Sequence, residues 1–337
     1  MHVKILLLLA SLLSLAVAPC MAGETLVAVK KNGVIRCGVG DNIPGMAMQD
    51  ANGAWSGMDV DFCRAVAAAV LGDPAKCVYL PLTARARFTS LMSKEIDLLA
   101  RNTTWTIGRE AAFNVAFAGP LLFTRQAIAV RKEDASAARA ALDKARIGVV
   151  RGSTHVRDIE EIAVRNAVTF EPVLYDSPTL AWKGFVSGEC KGVLGDEIVL
   201  AAERSLMPDG EKLIEIIAQQ NAREPISPAT RQDDSQWTTV LRGVLSLLVA
   251  AEECGLTQVN IADVANRSVA GRQLLERATA MAKPLGLPPD WSVRVIESVG
   301  NYGEMFARNL GAGSPLKLER DLNRLWKDGG LIWAPPL

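Results

Sequence analysis

Arg101-Asn102-Thr103-Thr104-Trp105-Thr106-Ile107-Gly108-Arg109 is the stretch that decides how this chain is read. It follows the apolar run Ile96-Asp97-Leu98-Leu99-Ala100, which has the composition of a buried strand. The nine residues include three hydroxyls, one amide and two guanidiniums. A strand ending in such a cluster puts polar groups at the carboxyl edge of a sheet, where α/β folds bind ligands. Arg109 offers a planar fork of donors that fits a carboxylate bidentately, and Thr104 and Thr106 can add hydroxyl and backbone donors. A solvated arginine on a surface turn is the competing reading of the stretch taken alone.

Working outward, the flanking segments alternate between strand and helix. Thr25 to Gly33 reads as a short helix and Val34 to Val39 as a strand. Asn52-Gly53 marks a turn. Trp55 to Val70 opens a helix in which Phe62, Val66 and Val70 share a face, with Asp59 and Asp61 placed to cap it and to meet its dipole. Gly72-Asp73-Pro74 stops it. Val78-Tyr79-Leu80 is a strand and Phe88 to Met92 a helix. The order β-α-β-α-β predicts a largely parallel sheet.

After Arg109 the chain is expected to cross into a second lobe between Phe117 and Val130. Leu142 to Arg146 reads as a helix and Ile147 to Val150 as a strand. Arg151-Gly152-Ser153-Thr154-His155 then leads into a helix to about Asn166, and glycine with hydroxyls at such a junction makes an anion-binding helix N-terminus, although an ordinary turn has the same composition. Val173-Leu174-Tyr175, helix Pro178–Ser187, strand Gly192–Gly195 ending at Asp196-Glu197, helix Ile198–Ser205 and strand Lys212–Ile217 complete the lobe. Glu224-Pro225-Ile226-Ser227-Pro228 reads as the crossing back. A long helix runs from Asp234 to Glu253, and the rest is mostly helical with an irregular end.

Composition narrows the function. The chain has 337 residues and is 49% apolar, so a large core is expected. Lys+Arg and Asp+Glu are 37 each, with no basic run, which argues against nucleic acid as partner. Lys4 precedes an apolar run from Ile5 to Ala18 followed by small residues, the pattern of a cleavable signal peptide spanning residues 1–22. Six cysteines include Cys20, which would leave with that segment. The remaining five leave at least one thiol without an internal partner, and their connectivity stays open. No C-x-x-C, G-x-S-x-G or H-E-x-x-H motif is present, so no metal, no cofactor and no catalytic triad is expected.

Several stretches together resemble the extracytoplasmic solute-binding proteins of amino-acid ABC transporters, closest to the general L-amino-acid-binding subfamily. They are Gly57 to Ala65, Pro81 to Ala84 with Arg87-Phe88, Arg101 to Thr106, Gly300 to Glu304 and Gly311 to Lys317. The resemblance implies an α/β, type II periplasmic fold of two lobes joined by two hinge strands, with a mostly helical C-terminal extension. Lobe 1 would take residues 23–124 and 225–337, and lobe 2 residues 125–224. Carried over by position, Arg109 and Thr104 would bind a ligand α-carboxylate, completed by backbone donors near Ser153 and Thr154. Asp196 would take the α-ammonium, helped by the carbonyl of Asn102. The implied partners are an L-amino acid and the inner-membrane permease subunits, for a monomer in the periplasm. Met46 and Trp55 are candidate pocket walls, with core packing as the competing reading for both and the favoured one for Trp55, and Arg151 with Asp41-Asn42 would alter the rim. The competing function is a lyase on the same fold resembling cyclohexadienyl dehydratase, with Asp196-Glu197 as its acid/base pair. Neighbours on a strand face opposite ways, which speaks against that pair sharing a site.

Overall fold

The computed structural model describes residues 23–135, 142–263 and 268–337, with the side chains of residues 220–222 outside the description. The expected signal peptide lies outside the described residues. Two five-stranded sheets organise the chain. The first contains β1 (Ile35–Gly40), β4 (Cys77–Leu82), β5 (Leu98–Leu99), β6 (Val115–Phe117) and β12 (Ala229–Arg231), in the order β4-β1-β5-β12-β6. A short hairpin of β2 (Met48–Gln49) and β3 (Trp55–Ser56) stands apart. β1 pairs in parallel with β4 and β5, and β12 runs antiparallel to β5 and β6.

The second sheet contains β7 (Leu122–Arg131), β8 (Ala145–Val150), β9 (Phe170–Tyr175), β10 (Gly192–Asp196) and β11 (Ile214–Ile226), ordered β11-β7-β10-β8-β9. Alternation in β7 divides its core in two: Ala127 and Ala129 pack on one face, Ile128 and Val130 on the other. β7 and β11 pair antiparallel from Ile214↔Arg131 to Ile226↔Leu122, with an irregularity between Ala218 and Arg223. These two strands carry the chain between the lobes. The expected lobe boundaries at 124 and 224 fall inside them.

The largest core belongs to the first lobe, where helices Met58–Leu71, Ser235–Glu253, Val269–Leu285, Trp291–Val299 and Tyr302–Asn309 pack together around Phe62, Trp237, Trp291, Tyr302 and Phe306. The C-terminal segment reaches the hinge: Asn323 Oδ1 accepts from Phe123 N at 2.7 Å, and Asn323 Nδ2 donates to Phe123 O at 2.9 Å. Cys37 and Cys63 form a disulfide that ties β1 to helix Met58–Leu71, while Cys77, Cys190 and Cys254 are free thiols.

Some expectations need correction. Asp143 and Lys144 form a turn, and Ala145 and Arg146 already belong to β8, so no helix runs from Leu142 to Arg146. Lys212 and Leu213 end a helical turn, Gly210–Leu213, and the strand begins at Ile214. Asp59 and Asp61 sit in the first turn of their helix but cap nothing. The cap position is Gly57, whose φ of 129 and a Cβ clash at 2.1 Å with Met46 O exclude a side chain. Asp59 accepts from Asn102 N at 2.9 Å, and Asp61 holds Arg64, Arg308 and Asn309.

Candidate functional site

A cavity with about 590 Å³ of empty space, its mouth included, lies between the two sheets. All six residues named from the sequence line it: Asn102, Thr104, Arg109, Ser153, Thr154 and Asp196. Asn102 and Thr104 follow β5, and Arg109 sits one turn into helix Ile107–Phe113. Ser153 and Thr154 form the junction between β8 and helix His155–Arg165, and Asp196 ends β10. The site is thus built from strand ends of both sheets, as expected for an open α/β arrangement.

The cationic side of the cavity is held by backbone. Arg109 is buried, donates through Nη1 to Thr104 O at 2.7 Å, and stacks over Phe88 with its Cζ 5.8 Å from the ring centroid. It forms no ion pair among the described residues. Burial pulls its pKa down, partly offset by Glu224 and Asp196. Thr106 does not line the cavity; it caps the helix, accepting from Arg109 N at 3.2 Å, and so sets where that helix starts. At the β8 junction, Ser153 spends both its amide and its hydroxyl on Val150 O. The Thr154 and His155 amides have no hydrogen-bond partner among the described residues and remain as the helix's free donors. Gly152 makes that junction possible: its φ is +74, and a Cβ there would stand 3.1 Å from the Arg85 backbone of the opposite lobe.

The anionic side is more crowded than the sequence suggested. Asp196 is buried, and its Oδ2 accepts from Asn102 Nδ2 at 2.8 Å, a bond between the lobes. Its other oxygen, Oδ1, has no hydrogen bond and stands 3.8 Å from His155 Nε2, which also lacks one. Burial pushes the Asp196 carboxyl up to about 6; His155 opposes this and the neighbouring Glu224 reinforces it. Glu224, buried on hinge strand β11, accepts from Thr104 Oγ1 at 2.8 Å, Gln126 Nε2 at 2.7 Å and Thr154 Oγ1 at 3.3 Å. Its own burial raises its pKa, but His155 and the bonds from Thr104 and Gln126 outweigh that and hold it below the ordinary carboxylate value.

Two further arginines face the cavity. Arg87 is fully buried, donates to Gly152 O across the cleft at 3.2 Å, and leaves its Nε unpartnered. Burial, with Arg109 and Arg101 nearby, drives its pKa well below the usual value. Arg101 donates to Leu82 O at 2.8 Å, and burial lowers it to about 10. Trp182, Ala181, Leu200 and Pro178 supply an apolar wall. At the mouth, Thr179 Oγ1 donates to Asn42 O at 3.3 Å, a further bridge between the lobes.

The expected pocket walls Met46 and Trp55 do not reach the cavity. Met46 is fully buried in the first-lobe core, and Trp55 packs at its edge against Tyr79. Arg151 turns away to pair with Asp176. Glu197 lies outside the cavity, paired with Arg125 at 3.0 Å, so Asp196-Glu197 is not a shared acid/base pair. Glu224, His155 and Arg87 were not singled out as site residues. The one signal for Glu224 was an acidic residue beside Pro225 in an otherwise crossing strand.

With that geometry in place, the comparisons with known proteins are decisive. Residues 35–258 match the bacterial extracellular solute-binding proteins, family 3. The chain belongs to that family. It is 39% identical over 323 residues to the general L-amino acid-binding periplasmic protein AapJ of Rhizobium johnstonii, covering 95% of this chain and 94% of AapJ. It is 37% identical over 329 residues to the glutamate/glutamine/aspartate/asparagine-binding protein BztA of Rhodobacter capsulatus, covering 96% and 97%. A solved periplasmic binding protein of an ABC transporter from Brucella ovis, with glutathione bound, superposes with a TM-score of 0.86 at 37% identity, over 93% of this chain and 98% of that one. The fold of this solute-binding protein is therefore the two-lobe type II arrangement. Its relatives are named as binding proteins and not as enzymes, which removes the lyase reading.

Proposed function

We propose that this protein is the periplasmic solute-binding component of an ABC importer and closes on a single L-amino acid, which it delivers to the membrane permease. Arg109, with the free amides of Thr154 and His155, takes the α-carboxylate, and Thr104, whose hydroxyl is held by Glu224, lines the pocket beside it. Asp196, oriented by Asn102, takes the α-ammonium. The observation that carries this reading is a pair of buried opposite charges that do not meet. Arg109 and Asp196 both face the cavity, each unpaired with the other, and come from different lobes. Buried charges without a partner are costly, and a zwitterion satisfies both at once. Because its two ends then hold opposite lobes, the ligand favours the closed state over the open one.

AapJ and BztA are named for amino acids, which supports the ligand class. Export by the cleavable segment 1–22 and a monomeric state belong to the same reading. A thermal-shift panel of the twenty L-amino acids tests it. Binding of at least one amino acid should raise the melting temperature and compact the protein in solution scattering. A panel without any shift, or conversion of a panel member to product, would overturn it.

A further inference from the structure

At one corner of the cavity donor capacity exceeds what a single ammonium uses: His155 and Asp196 line it, and Glu224 lies within reach of both without lining it. One ligand-capable atom each from His155, Asp196 and Glu224 lies within 4.8 Å of the others, and all three residues are buried. Two orphaned atoms point into this corner: His155 Nε2 and Asp196 Oδ1, 3.8 Å apart, have no hydrogen-bond partner. Among the described residues, no lysine or arginine pairs with either carboxylate.

We propose that His155, Asp196 and Glu224 form a binding site for a first-row divalent transition-metal ion of the Zn²⁺ or Co²⁺ kind. An imidazole nitrogen with two carboxylates suits such borderline ions, whereas Ca²⁺ and Mg²⁺ favour all-oxygen shells. A tetrahedral ion with bonds of about 2.0–2.1 Å holds its donors roughly 3.3 Å apart, so the existing spacing needs only side-chain adjustment to close on one. The remaining carboxylate capacity is already tied down. Asn102 fixes Asp196 Oδ2, and Thr104, Gln126 and Thr154 fix Glu224. Such bonds behind the donors orient them toward an ion. Three protein donors leave a fourth position open for an exogenous ligand. The guanidiniums of Arg87, Arg101 and Arg109 face the same cavity and make the site weaker than a structural zinc site. The corner overlaps the ammonium position proposed above, so an ion there displaces the ammonium; only this consequence rests on that reading.

The test uses the full mature chain, without a histidine tag, freed of bound ligand and with no amino acid present. Co²⁺ is titrated by visible absorption and Zn²⁺ by calorimetry. One ion per chain should bind, with the intense bands of four- or five-coordinate Co²⁺. His155→Gln and Glu224→Gln should each weaken binding at least tenfold and lose those bands, with melting curves checking that each is folded. Asp196→Asn, a small change of shape, serves if either fails to fold. Only the spectrum of the hydrated ion at millimolar Co²⁺, or undiminished binding in the folded variants, would overturn the site. Because no amino acid is present, that result is distinct from a failure of the amino-acid panel.

Discussion

Asp196→Asn separates stability from function, and both effects can be worked from the site. Burial raises the Asp196 carboxyl from 3.8 to about 6 in the ligand-free protein. A raised carboxyl pKa means that the folded state disfavours the charged form. The cost is absent below the unfolded pKa near 3.8, grows as pH rises, and is fully present above about 6. A shift of about two units corresponds to roughly 3 kcal/mol. Glu224 beside it is held below its ordinary value and offsets part of this cost, so removing the Asp196 charge should gain less than the full figure, about 1–3 kcal/mol. Asparagine keeps an acceptor for Asn102 Nδ2 and nearly the same shape. Urea unfolding of the ligand-free protein should therefore find Asp196→Asn more stable than wild type at pH 7.5. The difference should shrink as pH falls and vanish near pH 3, where the wild-type carboxyl is largely protonated in both states. Calorimetry at pH 7.5 should find amino-acid binding lost. Equal destabilisation at both pH values, or binding at wild-type strength, would refute the reasoning.

Arg109→Lys keeps the charge but loses the planar fork, and Arg109→Ala loses both; affinity in calorimetry should fall by about 2–5 kcal/mol for Arg109→Ala and by less, though still more than tenfold, for Arg109→Lys. Gly152→Ala puts a Cβ into a left-handed backbone position and 3.1 Å from Arg85, so urea unfolding should show a loss of about 1–2 kcal/mol, and scattering should show incomplete compaction with ligand. Cys37→Ser with Cys63→Ser opens a loop of sequence separation 26, for which the chain-entropy relation gives about 3.5 kcal/mol, readable as a lower urea midpoint that reducing agent does not lower further.

The sequence made the strand ends legible because local chemistry and local structure coincide there. The run from Ile96 to Arg109 names its own strand and its polar edge, though not the helix Ile107–Phe113 that carries Arg109, and the structure then brings Asp196 opposite. The second lobe was readable for the same reason, since each strand ends in a short polar junction. What was hidden depended on distance. Glu224 meets Thr104 across a separation of 120 residues and Gln126 across 98, and nothing within its own segment announces a ligand cavity. Arg87 stands just ahead of the helix read from Phe88, and its contact with Gly152 O of the other lobe is not visible from its own segment. Asp59 fits a helix-capping pattern, yet tertiary contact with the Asn102 amide claims it. Lys212-Leu213 failed as a strand because Asp209 begins a helical turn in a left-handed conformation, a local choice that apolar patterning does not register.

The central claim is that one zwitterion spans Arg109 and Asp196. The most direct measurement is calorimetry of the ligand-free protein with the best amino acid of the panel and two analogues, one lacking only the α-amino group and one lacking only the α-carboxylate. Tight binding of the amino acid, with both analogues weakened by at least tenfold, is the predicted result, since each analogue leaves one buried charge unanswered. Equal affinity for either analogue would contradict the account.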